Sequence, residues 1–162
     1  MRRSSWVVGG LIILLAAALF YARTAARPNL TDEEQIHTLL ANGQSAIERK
    51  DLRDALSCVS RSYSDSAGLK FDALRLQGAR AFQEEGRFDI SLENTSVKVR
   101  DDKAEVETEV ALDLTSVGNR SEVFAGHISL LLRKEESKRW GLIPARAWKV
   151  TRINGLTAEL GE

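Results

Sequence analysis

The sequence predicts an α+β protein: a transmembrane helix, followed by a domain in which about three helices pack on a curved antiparallel sheet. Two observations carry this prediction. Residues 6–22 form an uncharged run, and the hydrophobic period changes along the rest of the chain. Apolar residues recur every three or four positions between residues 31 and 86, and at every second position from residue 88. Helices that precede such an alternating sheet pack on one of its faces.

The N-terminal run is WVVGGLIILLAAALFY, residues 6–21, and it follows MRRSS. With Ala22 it nearly spans a bilayer core at ~1.5 Å per residue, and Trp6 and Tyr21 stand where aromatic rings favour the membrane interface. A cleavable signal peptide is the alternative, because small residues lie at 16–18 and 24–26. We favour an anchor, or uncleaved signal, at residues 1–22.

Under both interpretations, the rest of the chain is exported across the membrane. An anchor gives a single-pass protein of the cell membrane, with its C-terminal domain on the periplasmic or extracellular side. Cleavage gives a secreted protein. Residues 23–30 then form a short basic tether.

Three helices are predicted between residues 31 and 86. Thr31 and Glu34 form a capping box for the first helix, and Asp51 caps a second, shorter helix. Gly78 within the third indicates close approach to another element, and Gly86 is expected to end that helix. The apolar stripes are Ile36, Leu39, Leu40, Gly43 and Ile47; Leu52, Ala55, Leu56 and Val59; and Phe71, Leu74, Gly78, Ala81 and Phe82.

Alternation with period two predicts the strands. It is clearest at residues 104–114, where apolar side chains at even positions lie on one side of the strand and glutamates at 105, 107 and 109 lie on the other. Residues 101–102 are expected to form a turn, residues 118–119 a longer connection, and residues 135–138 a hairpin. Pro144 in the last strand is expected at a bulge or an edge. The domain therefore covers residues 31–154, with a tail at 155–162.

Charge and cysteine content exclude several functions. Lys+Arg and Asp+Glu number 23 each, but four arginines lie within residues 1–27, so the remaining chain is mildly acidic. It has no electrostatic reason to bind phosphate backbones, so nucleic acid is not an expected partner. Cys58 is the single cysteine, which excludes an intramolecular disulfide. His37 and His127 have no second ligand at suitable spacing, so neither a metal nor another cofactor is expected.

Three segments read together resemble the nuclear transport factor 2-like superfamily, including its membrane-anchored bacterial members of unassigned function. They are ERKDLRDALSCVSRSYSD, FDISLENTSVKVRDDKAEVETEVAL and RKEESKRWGLIPARAW. The resemblance covers residues 31–153 and implies a cone-shaped domain with a hollow between helices and sheet, and frequently a homodimer through the sheet. Isomerases, dehydratases, cyclases, adaptors and secretion subunits share this fold, so function must be argued from the site.

The segment SYSDSAGLK, residues 62–70, holds the main candidates for chemistry. In the resembled enzymes, aromatic and acidic residues after the second helix often line the hollow, so Tyr63, Asp65 and His127 are candidates for acid–base catalysis. Alternatively, Tyr63 packs beneath the third helix at Phe71, while Asp65 or Ser66 bonds amides at that helix start. We favour this second interpretation. His127 is expected on the sheet face away from the core, at a dimer surface. The predicted lining of the hollow is Tyr63, Phe71, Phe82, Trp140 and Trp148.

The sequence therefore predicts a membrane-tethered, non-catalytic accessory or binding module of the cell envelope. One alternative is a small-molecule acid–base enzyme of isomerase, dehydratase or cyclase type that uses the hollow. Another is an assembly subunit of an envelope or secretion complex. The expected partners are the lipid bilayer through residues 6–22, a second copy through the sheet, and an envelope protein.

Overall fold

A computed structural model describes residues 30–65, 68–139 and 143–155; the predicted anchor, Trp140 and most of the tail lie outside these ranges. The helices precede one antiparallel sheet whose strands are ordered as in the chain, which confirms the α+β class. No helix within the described ranges is long and apolar enough to cross a membrane. The elements are α1 (Asp32–Glu48), α2 (Leu52–Ser57), α3 (Phe71–Ala81), β1 (Arg87–Arg100), β2 (Lys103–Ser116), β3 (Asn119–Arg139) and β4 (Ile143–Asn154).

Helix α1 crosses the sheet and is tied to it at both ends. At its start, the Asp32 carboxylate pairs with Lys134 of β3 at 2.5 Å and accepts a 3.3 Å hydrogen bond from the Trp148 indole of β4. Towards its end, the Gln44 amide donates to the Ile90 carbonyl of β1 at 2.9 Å. These bonds span the sheet from one edge strand to the other, so α1 covers the core face.

Helices α2 and α3 follow as a short pair. The Asp51 carboxylate caps α2 by accepting from the Asp54 amide at 3.0 Å, as predicted. A Cβ on Gly78 would lie 3.0 Å from the Leu52 Cδ1, so the predicted close approach is the contact of α3 with α2. The absence of a side chain at Gly78 leaves room for the Leu52 side chain of α2.

The prediction that Gly86 ends the third helix is wrong. Helix α3 ends at Ala81, and Gly86 instead precedes β1 with a φ of +113°. A Cβ there would lie 2.5 Å from the Thr115 carbonyl oxygen, so the position needs glycine for close backbone approach to β2.

Two further predictions about connections are wrong. Strand β3 pairs with β2 from Asn119, so residues 117–118 form a two-residue turn rather than a longer connection. Residues 135–138 lie inside β3, because pairing with β4 continues to Arg139 opposite Ile143. Glu135 has a partner there, since it accepts a hydrogen bond from the Ser60 hydroxyl at 2.6 Å. The turn at residues 101–102 is confirmed, and Pro144 lies on β4, an edge of the described sheet.

The core lies between α1, α3 and one face of the sheet. Even-numbered side chains of β2 and β3, among them Val106 and Leu132, are buried as the alternation predicts. They meet Ile36 of α1, which is fully buried. The segment after α2 continues the sheet at its edge, since Val150 exchanges backbone hydrogen bonds with Cys58 and Ser60 at 3.0 and 2.8 Å.

Candidate functional site

Three of the aromatic residues predicted to line the hollow are buried in the core. Tyr63 and Trp148 are each 2% exposed and Phe71 is 6% exposed, and all three belong to one hydrophobic cluster. The Arg61 guanidinium lies 4.3 Å above the Phe71 ring and covers it from outside. Phe82 is half-buried and packs on the side towards β1. Aromatic rings therefore serve here as core, which is the more frequent role of such residues.

Tyr63 is nevertheless unusual, because its hydroxyl is buried without a hydrogen-bond partner among the described residues. Burial, reinforced by the nearby Asp65 carboxylate, raises the pKa of Tyr63 to about 12. The phenol therefore stays protonated at neutral pH. In chemical terms it offers a hydrogen-bond donor and an acceptor to a polar group, and it is unsuited to act as a base.

Asp65 closes the loop before α3. Its Oδ1 accepts from the Leu69 amide at 2.8 Å, and its own amide donates to the Leu69 carbonyl at 3.1 Å. Gly68, with φ of +81°, provides the reversal. Leu69 precedes α3 by two residues, so the carboxylate bonds an amide just before the helix; Ser66 lies outside the described residues. The segment 62–70 is thus a joint between helices.

His127 lies on the other face of the sheet, as predicted, and is exposed. Register places it opposite Glu109, which is opposite Glu93, so the three form a row across β3, β2 and β1. A shallow cleft of about 360 Å³ lies over this row, with the small residues Ala111 and Ala125 beside it. The sheet thus separates His127 from Tyr63, and the structure does not bring the three candidate catalytic groups together.

Sequence reasoning missed a polar cluster at the start of α1. The Lys134 ammonium holds the pKa of the Asp32 carboxyl below its usual value, and the Trp148 indole adds a hydrogen bond. One signal was present: Lys134 continues the even-numbered, core-facing series of β3, where a lysine needs a partner. Within the described residues, no group of three or more acidic, histidine or cysteine side chains is arranged to hold a metal ion.

A second cleft, of about 280 Å³, lies between α1 and β4. Its α1 wall carries Thr38, Leu39 and Asn42, and its β4 wall includes Arg146 and Lys149. The Cys58 thiol at the end of α2 borders it and is half-buried, and burial raises the pKa of that thiol. No sequence pattern predicted this cleft, because its walls come from residues about a hundred positions apart.

Comparison with known proteins identifies the fold. No protein-family model and no curated protein matches the chain. A nuclear transport factor 2-like protein with a cystatin-like fold from Novosphingobium aromaticivorans is similar over 86% of this chain and 84% of its own, at 16% identity and a TM-score of 0.58. A nuclear transport factor 2-like protein of unknown function from Shewanella oneidensis is 15% identical over 76% of this chain and 97% of its own, with a TM-score of 0.54.

A third solved structure, of a function-unknown protein from Mycobacterium tuberculosis, is 14% identical over 74% of this chain and 71% of its own, with a TM-score of 0.60. At such identities the similarity establishes the fold alone. The chain therefore has an α+β, cystatin-like fold, similar to that of these nuclear transport factor 2-like proteins.

Proposed function

We propose that this protein is a membrane-tethered, non-catalytic accessory or binding module of the cell envelope. The observation that supports the proposal is the buried aromatic cluster: Tyr63, Phe71 and Trp148, three of the residues expected to line a substrate hollow, pack together in the core. The remaining candidates are used elsewhere, since Asp65 closes a loop and His127 lies on the opposite face of the sheet. Acid–base catalysis needs such groups to converge on one reacting atom.

The tether in this proposal is the apolar run at residues 6–22, with the domain on the periplasmic or extracellular side. The test is the mass and location of the mature protein in its own cells. We expect an intact chain of 17.9 kDa in the membrane fraction, resistant to alkaline extraction and open to protease only from the exported side. A shortened, soluble form would show a cleaved signal peptide and would overturn the tether.

A second copy is the partner we propose for the outer sheet face, defined by the row Glu93, Glu109 and His127 and its neighbours Ala111 and Ala125. The described helices pack on the other face, and two alanines in register allow another backbone to approach closely. We expect a dimer by light scattering for the wild type and a monomer for Ala125→Arg. A monomeric wild type at micromolar concentration would reject this surface.

Envelope partners are tested by crosslinking in intact membranes. A stable heteromeric product supports the accessory role. Self-crosslinks alone, with an unchanged product after Ala125→Arg, would contradict both proposed contacts.

The Tyr63 hydroxyl has no hydrogen-bond partner within the described part of the chain, which favours one second candidate, a small-molecule isomerase, dehydratase or cyclase whose substrate meets this group. A thermal-shift screen of small carbonyl compounds separates the two. A compound that raises the Tm of the wild type but not of Tyr63→Phe would support the enzyme. Equal shifts in both proteins, or none in either, support the binding module.

A further inference from the structure

The cleft between α1 and β4 has a mixed polar and apolar lining and lies apart from the outer sheet face. Trp148 forms part of its wall and also belongs to the buried cluster, so the cleft opens outward from the core. It shares no lining residue with the cleft on the outer sheet face. Its volume of about 280 Å³ is close to the lower end of small-molecule sites, which suits a ligand of few atoms.

The charge of this cleft is one-sided. Arg146 and Lys149 line it, and no carboxylate is among its described lining residues. Of the acids nearby, Asp32 is already paired with Lys134 at 2.5 Å, and Asp54 is paired with Arg49 at 3.4 Å. Glu136 lies opposite Arg146 in the β3–β4 register and offsets part of its charge. Because burial raises the pKa of the Cys58 thiol, that group adds no negative charge at neutral pH. The described lining residues themselves therefore carry a net positive charge.

Backbone carbonyls hold both cations in place. The Lys149 ammonium donates to the Ser57 carbonyl across the cleft, and the Arg146 guanidinium donates to the Lys134 carbonyl at 3.4 Å. A neutral carbonyl orients a cation but does not neutralise it, so each keeps donors and charge for an anion. Arg146 also has the planar fork that matches a carboxylate or a phosphate.

We propose that this cleft binds a small organic anion, with Arg146 and Lys149 as the cationic groups of its lining. The Asn42 amide supplies a further donor on the α1 side, and Leu39 and Ala147 provide apolar surface for the body of the molecule. This site is independent of the tether and of the dimer, since it uses only groups of α1, α2 and β4.

The test is a titration of the full-length protein in neutral detergent, followed by amide chemical shifts at constant ionic strength. The probes are butyrate, glycerol 3-phosphate and inorganic phosphate, with butanamide as the neutral match for butyrate. We expect saturable shifts at Asn42 and Ala147 with an anionic probe and none with butanamide. Saturation by butyrate alone assigns a carboxylate ligand, and saturation by the phosphates alone assigns a phosphate ligand. Both assignments support the site.

Variants and a second readout complete the test. Arg146→Gln and Lys149→Gln should each weaken binding by about tenfold, because each removes a charge-assisted hydrogen bond. Arg100→Gln, an exposed cation of β1 at the other edge of the sheet, should leave it unchanged. Bound anion should also slow the reaction of Cys58, the only cysteine, with a thiol reagent. Non-saturable shifts with all three anions, or equal weakening by Arg100→Gln, would overturn the proposal.

Discussion

Replacement of Tyr63 by phenylalanine should stabilise the protein. The Tyr63 side chain is 2% exposed, and its hydroxyl has no hydrogen-bond partner among the described residues. A buried polar group without a partner costs about 1–3 kcal/mol, whereas the ring itself packs in the core and is retained in phenylalanine. Allowing for the small void left by the oxygen, we expect a gain of about 1–2 kcal/mol in the free energy of unfolding.

The same substitution should change the response to alkaline pH. The folded state raises the pKa of Tyr63 from 10.0 to about 12, so above pH 10 the unfolded chain loses this proton first. Stability is therefore lost as pH rises from 10 to 12, by about 2–3 kcal/mol for this group. Tyr63→Phe lacks this contribution, so the difference in stability between the variant and the wild type should widen over that range.

The assay is urea denaturation of a chain that starts at Leu30 and keeps the whole described core, measured from pH 7 to pH 11. Thr108→Val is the matched control, because Thr108 is also fully buried but its hydroxyl donates to the Glu93 carbonyl at 2.9 Å. We expect Thr108→Val to lose about 1–3 kcal/mol, the opposite sign. If Tyr63→Phe also lost 1 kcal/mol or more, the hydroxyl would have a partner and the reasoning would fail.

Three further substitutions test other contacts by the same denaturation assay. Gly86→Ala should cost about 2 kcal/mol or more and Gly118→Ala only about 1, since both have positive φ but only the first places a Cβ 2.5 Å from a carbonyl oxygen; equal costs would contradict this. Asp32→Asn should cost about 1 kcal/mol, because Asp32 and Lys134 are partly exposed. Since the pKa of Asp32 lies below its usual 3.8, this contribution is complete above that pH and disappears as pH falls through the lowered pKa; an unchanged acid response would contradict it. Ser60→Ala should cost about 1–2 kcal/mol through the loss of buried hydrogen bonds, and a neutral effect would show that they contribute nothing.

The alternation of side chains predicts most of the sheet, and it also contains the signal of a β-bulge in β1. Core positions in β1 are even-numbered up to Leu92 and odd-numbered from Val97. The structure shows why. A bulge between Glu93 and Ser96 inserts one extra residue in β1, so that apolar side chains on both sides of it face the core; Asn94 in the bulge has a φ of +51°. A parity change inside one run of alternating residues is thus a sequence signal for a bulge.

The wrong predictions came from residues whose role depends on distant partners. Glycine often ends a helix, which is why Gly86 was interpreted in that way. In the structure, Gly86 has a positive φ and lies too close to the backbone of β2 for any side chain. Glu135 and its polar neighbours resemble a turn locally, yet Ser60, 75 positions away, bonds Glu135 within a strand. Tertiary contacts of this kind override local propensity, and a single sequence does not display them.

The candidate site was only partly predictable for the same reason. The sequence placed Tyr63 at the joint before α3 and His127 on the outer face, and both positions agree with the structure. It did not show that the Tyr63 hydroxyl is without a hydrogen-bond partner in the described parts of the chain, because that depends on every neighbour in the core. The role of Arg146 and Lys149 in the cleft was not predictable from the sequence either, since the opposite wall of that cleft is formed by α1.

The core separates the two surfaces to which we assign binding, and this has a consequence for their energetics. The outer face contains Ala125 and the α1–β4 cleft contains Arg146, and the two clefts have no lining residue in common. Substitutions without shared partners act additively, so Ala125→Arg should leave anion affinity intact and Arg146→Gln should leave the oligomeric state intact. If a substitution at one surface altered binding at the other surface, a conformational link through the core would be required. The packed cluster around Trp148, which borders the cleft and contacts the sheet, is where such a link would have to lie.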